Sequence, residues 1–379
     1  MPFFYGDFMY NASLEILKKI NDNGFKAYVV GGYVRDLYLN KRSVDVDICT
    51  NATPKQLKEI FGNLMLPKES YGSVTIRYKN IRFEVTTFRK DIKYENHRAP
   101  IKIKYIDSLI DDLKRRDFTI NTLCMDEHGE IIDLLGATDD LDNKVIKVVG
   151  SPKKKLKEDV LRILRAIRFA TILNFTLDDS VKKYIKKYGY LLENLSYERK
   201  KEELEKIFTS KNASYGVNLI IELGIDKYLE LNNLDKLVIV PSLIGIWSQL
   251  GVGDTYPFSN DDKLTIKKLN ELQTLDLYNP IVLYNYGLYN CSISGQIRNI
   301  PKKLITKKYN DLPIHNVSEL NINGKDIQNL LNIKGKEIGN ILHDIELLVI
   351  KNELENNYEV IKKYIVEKYY NIQNDKNDI

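Results

Sequence analysis

The pattern of apolar and polar positions changes character partway along the chain. Up to about Asp133, short runs such as Ser73–Tyr78 and Arg82–Phe88 alternate with the period of two that is typical of strands, and helical segments lie between them. From Glu158 onward, apolar residues recur at helical spacing almost throughout. We therefore predict an α+β fold, in which an N-terminal domain with a mixed sheet and helices precedes an all-α remainder.

Two aspartates stand within one of the alternating runs. Val44, Val46 and Ile48 alternate with Asp45 and Asp47, so a strand here would direct both carboxylates to the same face. Neighbouring carboxylates repel each other, and a hard divalent ion such as Mg²⁺ between them would balance the charge. By itself, an Asp-x-Asp run is typical of a solvated strand edge.

A glycine turn precedes these aspartates. Phe25–Val30 is rich in β-forming residues, Gly31-Gly32 permits a tight turn, and Tyr33–Leu39 can start a helix. Such a turn exposes backbone N–H groups to an anion, and Arg35 adds positive charge beside it. A Gly-Gly pair alone indicates only a turn. Followed by the two aspartates, it indicates a triphosphate bound between the turn and a metal ion.

Composition limits the class of protein. The chain has 379 residues, which is more than one ordinary core, so we expect two or more domains. Lysine and arginine number 57 against 52 acidic residues, and the net charge of +5 permits a nucleic-acid partner without requiring one. The three cysteines stand far apart without a Cys-x-x-Cys pair, so neither a disulfide framework nor a zinc site is indicated.

Apolar runs give no sign of a membrane protein. The first residues lack a basic region followed by a long apolar core, so we expect no signal peptide. The longest uncharged stretch, Leu237–Gly253, is too short and too broken to span a bilayer, and we predict a buried helix there that carries Trp247. These features predict a cytoplasmic protein with no membrane partner.

Four further runs carry candidate chemistry. Glu84 lies on a predicted strand that could pair beside the aspartates, and Asp112–Asn121 places two arginines and an acid before a β-like segment. The run Ser196–Leu204 is predicted to open a helix with a capping serine. The run Glu158–Phe169 is predicted to be helical, and its candidate residues are Asp159, Arg162, Arg165 and Arg168.

In this order, the motifs resemble those of bacterial class II tRNA nucleotidyltransferases, the CCA-adding enzymes. They are Gly-Gly-x-Val-Arg-Asp, Asp-x-Asp, Arg-Arg-Asp-Phe-Thr-x-Asn, Glu-Asp-x-x-Arg-x-x-Arg-x-x-Arg-Phe and Glu-Arg-x-x-x-Glu-Leu, within about the first 210 residues. Asn323–Ile327 and Asn352–Asn356 resemble the tail of that family. One departure is Lys200, which stands where the family usually has an aliphatic residue.

The resemblance implies a role for each motif of the N-terminal domain. The aspartate pair would hold two Mg²⁺ ions that activate the RNA 3′-hydroxyl and stabilise the leaving pyrophosphate. Gly32 and Arg35 would bind the triphosphate. Arg116 and Asp117 would contact the nucleotide sugar, and a salt-bridged strand end is the structural alternative for that pair. Glu84 belongs either to the catalytic face or to the structural framework.

The resemblance also implies that Asp159 and Arg162 select the base. At positions i and i+3 of a helix they would share a face. A carboxylate accepts a hydrogen bond from the exocyclic amine of cytosine or adenine, whereas uracil and guanine present a carbonyl there, which is a costly mismatch. Arg165 and Arg168 would support nucleotide and phosphate binding. Considered alone, these residues would suit an amphipathic helix with ordinary salt bridges.

Domain organisation and partners follow from the same resemblance. We expect a catalytic nucleotidyltransferase head at residues 1–150, a neck with base-recognition helices at 151–215, a helical body at 216–310 and a tRNA-binding helical tail at 311–379. The loop Lys90–Pro100 corresponds to one that this family uses to switch from C to A addition, and its full length, with Asp91, Tyr94 and Arg98 in place, favours complete CCA synthesis. The expected partners are tRNA, CTP and ATP, with the protein a monomer or homodimer.

Three alternatives stay open. A poly(A) polymerase of the same superfamily would add long A runs to many RNAs. A CC-only enzyme would stop before the final A. A non-catalytic tRNA-binding protein is expected to have lost one of the metal-binding aspartates, and both are present in this sequence.

Overall fold

The computed structural model describes residues 4–43, 45–70, 72–94 and 100–370. The chain divides into two compact units, the first formed by Met1–Asp235 with Thr255–Pro257 and the second by Lys236–Asp254 with Phe258–Ile379. Every strand of the described residues belongs to the first unit, and the second is helical. The predicted α+β class, with a sheet-containing N-terminal part and a helical remainder, is confirmed.

A seven-stranded sheet forms the centre of the first unit. The strands of this unit are β1 (Ala27–Val30), β2 (Val46–Thr50), β3 (Met65–Ser70), β4 (Ser73–Tyr78), β5 (Ile81–Thr87), β6 (Arg89–Tyr94), β7 (Pro100–Tyr105), β8 (Cys124–Met125), β9 (Ile131–Ile132), β10 (Val145–Ile146) and β11 (Thr176–Leu177). The sheet has the order β3-β4-β5-β2-β1-β8-β9, in which β2 and β5 run parallel and the other neighbours run antiparallel. Strands β6 and β7 form a separate hairpin, and β10 pairs with β11.

Alternating burial explains why β5 is a strand with one covered face. Ile81, Phe83 and Val85 are buried, whereas Arg82 and Glu84 between them are exposed. A sheet packed on one side requires this alternation, because successive side chains point to opposite faces. The open face of β5 therefore presents polar side chains to solvent.

Ten helices accompany the sheet in the described part of the first unit. They are α1 (Phe4–Asn21), α2 (Gly32–Tyr38), α3 (Pro54–Phe61), α4 (Leu109–Lys114), α5 (Ala137–Asp142), α6 (Pro152–Glu158), α7 (Leu161–Leu173), α8 (Asp179–Tyr188), α9 (Tyr197–Phe208) and α10 (Ala213–Glu222). Helix α7 buries Ile163, Leu164 and Ile167 and packs against α9 and α10. The arginines of α7 lie on the side of the helix that does not form this core.

The departure noted at Lys200 has a structural counterpart in α9. The Lys200 side chain is fully buried, and its ammonium lies 4.3 Å from the centre of the Tyr197 ring. Its Nζ also donates to the Tyr228 carbonyl over 3.4 Å. Burial lowers the pKa of this lysine. An aromatic face and a carbonyl thus accommodate the charge where an aliphatic side chain would need only packing. Ser196 precedes the helix as predicted but forms no capping side-chain hydrogen bond.

The second unit consists of helices around two apolar cores. Its helices are α11 (Leu243–Trp247), α12 (Asn260–Leu272), α13 (Pro280–Ile297), α14 (Lys302–Asn310), α15 (Gly324–Leu331), α16 (Lys336–Ile350) and α17 (Tyr358–Ile365), and a π-helical turn follows at Val366–Tyr370. The larger core gathers Ile327, Ile345 and Ile361, all fully buried. Among the described residues, none of the helices combines the length and the apolar character that crossing a bilayer demands.

One local prediction was wrong, and a second was confirmed over a shorter segment than expected. The segment after Asp117 forms a 3₁₀ turn at Thr119–Asn121 instead of a strand. The Asp117 carboxylate accepts from the Phe118 N–H and the Asn121 amide, and such local bonds compete with extended pairing. The uncharged stretch near Trp247 is helical only over Leu243–Trp247, although Trp247 is buried as expected.

Ile76 offers a test of the buried face of the sheet. It is fully buried in β4 opposite Phe83, so we expect Ile76→Ala to lower the opening free energy of β5 amides by about 2–5 kcal/mol. Hydrogen exchange followed by mass spectrometry measures this for the first unit alone. The neighbouring exposed Arg77 is the control, and Arg77→Ala should change the value by no more than about 0.5 kcal/mol. Equal effects of the two substitutions would contradict the assigned register.

Candidate active site

The two predicted metal-binding aspartates lie at one end of β2. The strand begins at Val46, so Asp45 precedes it, and the prediction that both carboxylates project from a single strand was wrong for Asp45. The cause is the extent of strand pairing, because β2 pairs with β1 only from Asp47 and with β5 only from Val46, which leaves Asp45 before the first paired residue. Val44 lies outside the described residues. Both aspartates are nevertheless exposed, and they remain two positions apart.

Asp47 lies directly beside Glu84. The parallel pairing of β2 with β5 sets the two residues opposite each other, which confirms the expectation that Glu84 could lie next to the aspartates. Asp47 is exposed, yet the surrounding protein atoms partly desolvate its carboxylate and raise its pKa. The negative charges of Glu84 and Asp45 raise this pKa further, whereas the positive charge of Arg116 lowers it. The carboxylates therefore repel one another in the absence of a cation.

The glycine turn lies against the same carboxylate. Gly31 follows β1 with φ 84° and ψ −133°, a conformation that favours glycine, and α2 begins at Gly32, one residue before the predicted start at Tyr33. A Cβ atom on Gly31 would lie 3.7 Å from Arg116 Nη1 and 3.8 Å from Asp47 Oδ2. The backbone of the turn, a carboxylate and a guanidinium thus meet at one point.

The Arg116 guanidinium is hydrogen-bonded through Nη2 and has no acceptor at Nε among the described residues. Its Nη2 donates to Asp112 Oδ2 over 3.3 Å, and the Asp112 carboxylate is fully buried and also accepts from Arg115. Among the described residues, no acceptor reaches the buried Arg116 Nε–H. A buried donor without a partner is costly, so this atom is suited to an acceptor that a ligand brings.

Asp117 connects the segment after α4 to helix α7 through an ion pair with Arg165. Its Oδ2 accepts from Arg165 Nε over 2.7 Å, and its Oδ1 accepts from the Phe118 N–H over 2.8 Å and from Asn121 Nδ2 over 3.3 Å. Burial would raise the pKa of Asp117, but Arg165 and these hydrogen bonds outweigh it and lower the pKa to about 2. Asp117 is consequently ionised at every physiological pH.

Three predicted arginines surround one aromatic ring. The guanidinium carbons of Arg35, Arg165 and Arg168 lie 5.4, 5.3 and 4.5 Å from the centre of the Phe169 ring. Arg35 Nη1 also donates to Asn121 over 2.8 Å, and Arg168 Nε lies 3.0 Å from a Glu203 carboxylate oxygen. The ring and the anionic partners hold three like charges in a small volume.

Asp159 and Arg162 do not share a continuous helix. Helix α6 ends at Glu158, Asp159 is extended with φ −140° and ψ 105°, and α7 begins two residues later. The Asp159 Oδ1 accepts from the Leu161 N–H over 3.1 Å, a local bond that aspartate forms outside helix interiors. The prediction of one helix was therefore wrong at this position. Arg162 is buried in the first turn of α7, where its Nη1 donates to the Lys155 carbonyl over 2.8 Å.

Oxygen ligands for a metal ion are few. Within the described residues, no group of three or more His, Cys, Asp or Glu side chains is gathered closely enough to ligate one ion. Asp45 and Asp47 are thus the candidate protein ligands, which suits Mg²⁺, because Mg²⁺ commonly takes one or two carboxylates and completes its shell with water and phosphate oxygens.

Some contributors were not singled out from the sequence. Phe169 and Glu203 stand inside recognised motifs, yet nothing in their local pattern indicated that they hold arginines in place. Arg98 lies outside the described residues, as do the side chains of Tyr94, the last residue of β6, and Pro100, the first residue of β7. Asp91 in β6 lies 3.4 Å from Arg89 Nε.

Comparison with known protein families finds three models that match separate parts of the chain. The model described as Poly A polymerase head domain matches residues 27–147. The model for the RNA and SrmB-binding site of polymerase A matches residues 174–234, and that for tRNA nucleotidyltransferase domain 2 matches residues 256–365.

Individual relatives match over nearly the whole chain. A CCA-adding enzyme of Anoxybacillus flavithermus is 33% identical over 384 residues, which cover 94% of this chain and 96% of the relative. One of Limosilactobacillus reuteri is 33% identical over 390 residues, covering 95% and 97%. The crystal structure of the Bacillus stearothermophilus CCA-adding enzyme in complex with CTP has a TM-score of 0.81 and 28% identity, and the match covers 97% of this chain and 99% of that chain.

The two glycines of the turn provide a matched test of the backbone geometry. Because Gly31 has φ 84°, Gly31→Ala should destabilise the first unit by about 1–3 kcal/mol. Gly32 lies in helical conformation with 3.7 Å to its nearest side-chain atom, so Gly32→Ala should be neutral or stabilise by up to about 1 kcal/mol. Hydrogen exchange of the β1 amides measures both values. Equal losses in the two variants would refute the conformation assigned to Gly31.

Proposed function

The chain belongs to the family of CCA-adding enzymes, and on that premise we propose that it synthesises the 3′-terminal CCA of tRNA from CTP and ATP without a nucleic-acid template. The observation that carries the proposal is the meeting of Asp47, the Gly31 turn and Arg116 where strands β1 and β2 adjoin in the sheet. Carboxylates, backbone N–H groups and a guanidinium are the groups that bring a metal-bound triphosphate to an attacking hydroxyl.

Asp45 and Asp47 are the proposed ligands of Mg²⁺, with two ions expected. The fit rests on exposed carboxylate oxygens and on the repulsion among Asp45, Asp47 and Glu84, which a divalent cation would relieve. When bound, the ions would activate the RNA 3′-hydroxyl and stabilise the leaving pyrophosphate. Glu84 contributes negative charge next to Asp47, and its position on the neighbouring strand suits an indirect role.

The triphosphate is proposed to bind along the glycine turn. The Gly31 N–H donates to the Leu123 carbonyl over 3.2 Å, so the backbone donors proposed for the phosphates are the N–H groups at the start of α2, beginning with Gly32. Arg116 supplies a buried Nε–H that has no acceptor among the described residues. Arg35 lies against Asp36 and Asn121 and adds positive charge without filling the turn. These donors hold the phosphates and need not move during the reaction.

The sugar contact is proposed for Arg116 and Asp117. The carboxylate of Asp117 is ionised and fixed by Arg165, so it presents an acceptor in a defined direction. A carboxylate has about four lone-pair sites, and Arg165 Nε and Nη2, the Phe118 N–H and Asn121 Nδ2 already approach those of Asp117. A ribose 2′-hydroxyl is therefore proposed to take the place of Asn121, whose contact of 3.3 Å is the longest of the four. This contact would distinguish a ribonucleotide from a deoxyribonucleotide.

Base selection is proposed for Asp159 and Arg162 from opposite sides of a helix boundary. Asp159 uses one oxygen to accept from the Leu161 N–H, and its second oxygen can accept from the exocyclic amine of cytosine or adenine. The guanidinium of Arg162 can donate to ring nitrogen or carbonyl acceptors. Arg165 and Arg168, held on the Phe169 ring, supply positive charge for the phosphates.

The partner is proposed to be tRNA, and the second unit is proposed to contribute to its binding. In the lysine- and tyrosine-rich stretch 351–370, residues from Tyr358 onward form α17 and the π-helical turn after it. Lysines there can contact RNA phosphates, which is an electrostatic and salt-dependent interaction. The division into head, neck, body and tail, and a monomeric or homodimeric state, stay predictions.

The central test is nucleotide incorporation. Purified protein is incubated with tRNA lacking CCA, Mg²⁺ and each labelled nucleoside triphosphate, and the product ends are sequenced. We expect two C residues, then one A, and no further addition. Long A runs on unrelated RNAs would indicate a poly(A) polymerase, arrest after CC would indicate a CC-only enzyme, and no incorporation would leave only a tRNA-binding protein.

Asp45→Asn separates catalysis from RNA binding. It removes one carboxylate charge with little change of shape, and we expect transfer to fall by on the order of 10³-fold, because several kcal/mol of charge stabilisation is lost. The dissociation constant for tRNA, measured by filter binding, should change little. Turnover at the wild-type rate would contradict the assignment of Asp45 as a ligand. Glu59→Gln, an exposed change on α3, is the control.

Arg162→Ala tests base selection. Loss of a well-placed base contact costs about 1–3 kcal/mol of discrimination, so the preference for CTP and ATP over UTP and GTP should fall roughly 10- to 100-fold. Competition between labelled nucleotides in the incorporation assay measures this ratio directly. Selectivity equal to that of the wild type would refute the proposed role of Arg162.

A further inference from the structure

The Lys155 side chain lies between the segment that carries Arg116 and the helix that carries Arg162. Its Nζ donates to the Lys114 carbonyl over 2.8 Å and to the Arg116 carbonyl over 3.1 Å. Its own backbone carbonyl accepts from Arg162 Nη1 over 2.8 Å. Through its two ends, one residue therefore contacts both the proposed sugar-binding segment and the proposed base-selecting arginine.

The carbonyls that Lys155 binds lie at the end of a helix. Lys114 is the last residue of α4, and carbonyls at a helix C-terminus have no donor within the helix. An ammonium group satisfies them and also interacts favourably with the negative end of the helix dipole. The contact fixes the backbone immediately before Asp117, whose carboxylate reaches Arg165.

Charged groups surround Lys155 on several elements. Burial lowers its pKa to about 8, and the positive charge of Arg162 lowers it too, while Glu158, Asp117 and Asp91 act in the opposite direction. A cavity of about 600 Å³ lies beside it. Other charged residues that line this cavity are Lys90, Asp111, Lys114, Arg115 and Lys154. The ammonium form predominates at neutral pH and is lost as the pH rises through about 8.

We propose that Lys155 is a positioning residue that holds the Arg116–Asp117 segment in register with Arg162, so that sugar and base of the incoming nucleotide are bound together. This inference rests on the proposed function. Two backbone carbonyls converge on one donor, and the ammonium form binds them more strongly than a neutral amine would, because charge-assisted hydrogen bonds are stronger. A purely structural lysine would contribute to stability without affecting nucleotide affinity.

Steady-state kinetics with CTP and ATP test the proposal. Lys155→Ala should raise KM for both nucleotides by about 10-fold and change kcat much less, because it disturbs binding of the ground state. Lys155→Arg should restore KM to within about twofold, since a guanidinium keeps the charge and the donors. The matched control is Lys153→Ala, an exposed lysine of the same helix, which should have the wild-type KM.

A pH series gives a second readout that does not depend on the folding of the alanine variant. From about pH 7 to about pH 9.5, KM of the wild type should rise as Lys155 loses its proton, whereas KM of Lys155→Arg should not, because arginine stays charged. Parallel profiles, a failure of arginine to restore KM, or equal KM values for the two alanine variants would each overturn the proposal. A wild-type protein that incorporates no nucleotide would reject the proposed function itself.

Discussion

The ion pair between Asp117 and Arg165 is the constraint on which the arrangement of the site depends. It connects the segment that follows α4 to helix α7, and the same carboxylate accepts from Asn121, which in turn accepts from Arg35. Breaking a largely buried pair leaves an uncompensated charge and is strongly unfavourable. The pair therefore fixes where α7 presents its arginines, and Phe169 on the same helix collects them.

Charge of opposite sign is kept in neighbouring but separate places. Asp47 and Glu84 lie side by side on strands β2 and β5, and Asp45 precedes β2, whereas the arginines lie around Phe169 and are neutralised by their own carboxylates. Arg116 lies between the acidic residues and the arginines around Phe169. Its Nη2 forms an ion pair with Asp112, and its Nη1 lies near the Gly31 turn and Asp47. Each of these arginines already forms an ion pair with another carboxylate. The carboxylates of Asp45, Asp47 and Glu84 are therefore left to interact with cations.

Local patterns predicted much of this site, and long-range pairing decided the rest. The strand, glycine turn and helix around Gly31 follow from residue types that act over a few positions, so the sequence was sufficient there. The neighbour of Asp47 is set by the register of β2 on β5, which brings together residues 37 positions apart and leaves no local signal. The break before α7 was missed because helical spacing of apolar residues continues across Asp159, whereas the aspartate prefers a local backbone bond.

Lysines illustrate the same limit. Three consecutive lysines occur in α6, and the sequence gives no reason to expect different roles for Lys153, Lys154 and Lys155. In the structure, however, Lys155 is partly buried and donates to two backbone carbonyls. Only the position of α4 against α6 distinguishes them. Side-chain identity thus predicted the kind of chemistry, and the packing of distant segments assigned it to particular residues.

The parallel alignment of Asp47 with Glu84 has a thermodynamic consequence. Because the two carboxylates face each other on neighbouring strands, their repulsion lowers the free energy of unfolding of the first unit as long as no cation is bound. Any divalent ion that associates with the native lobe and not with the denatured chain adds RT ln(1 + [L]/Kd) to its resistance to melting. Under the proposed binding of Mg²⁺ by Asp45 and Asp47, occupancy by the ion would therefore also raise the free energy of unfolding of the first unit, and its removal would lower that free energy.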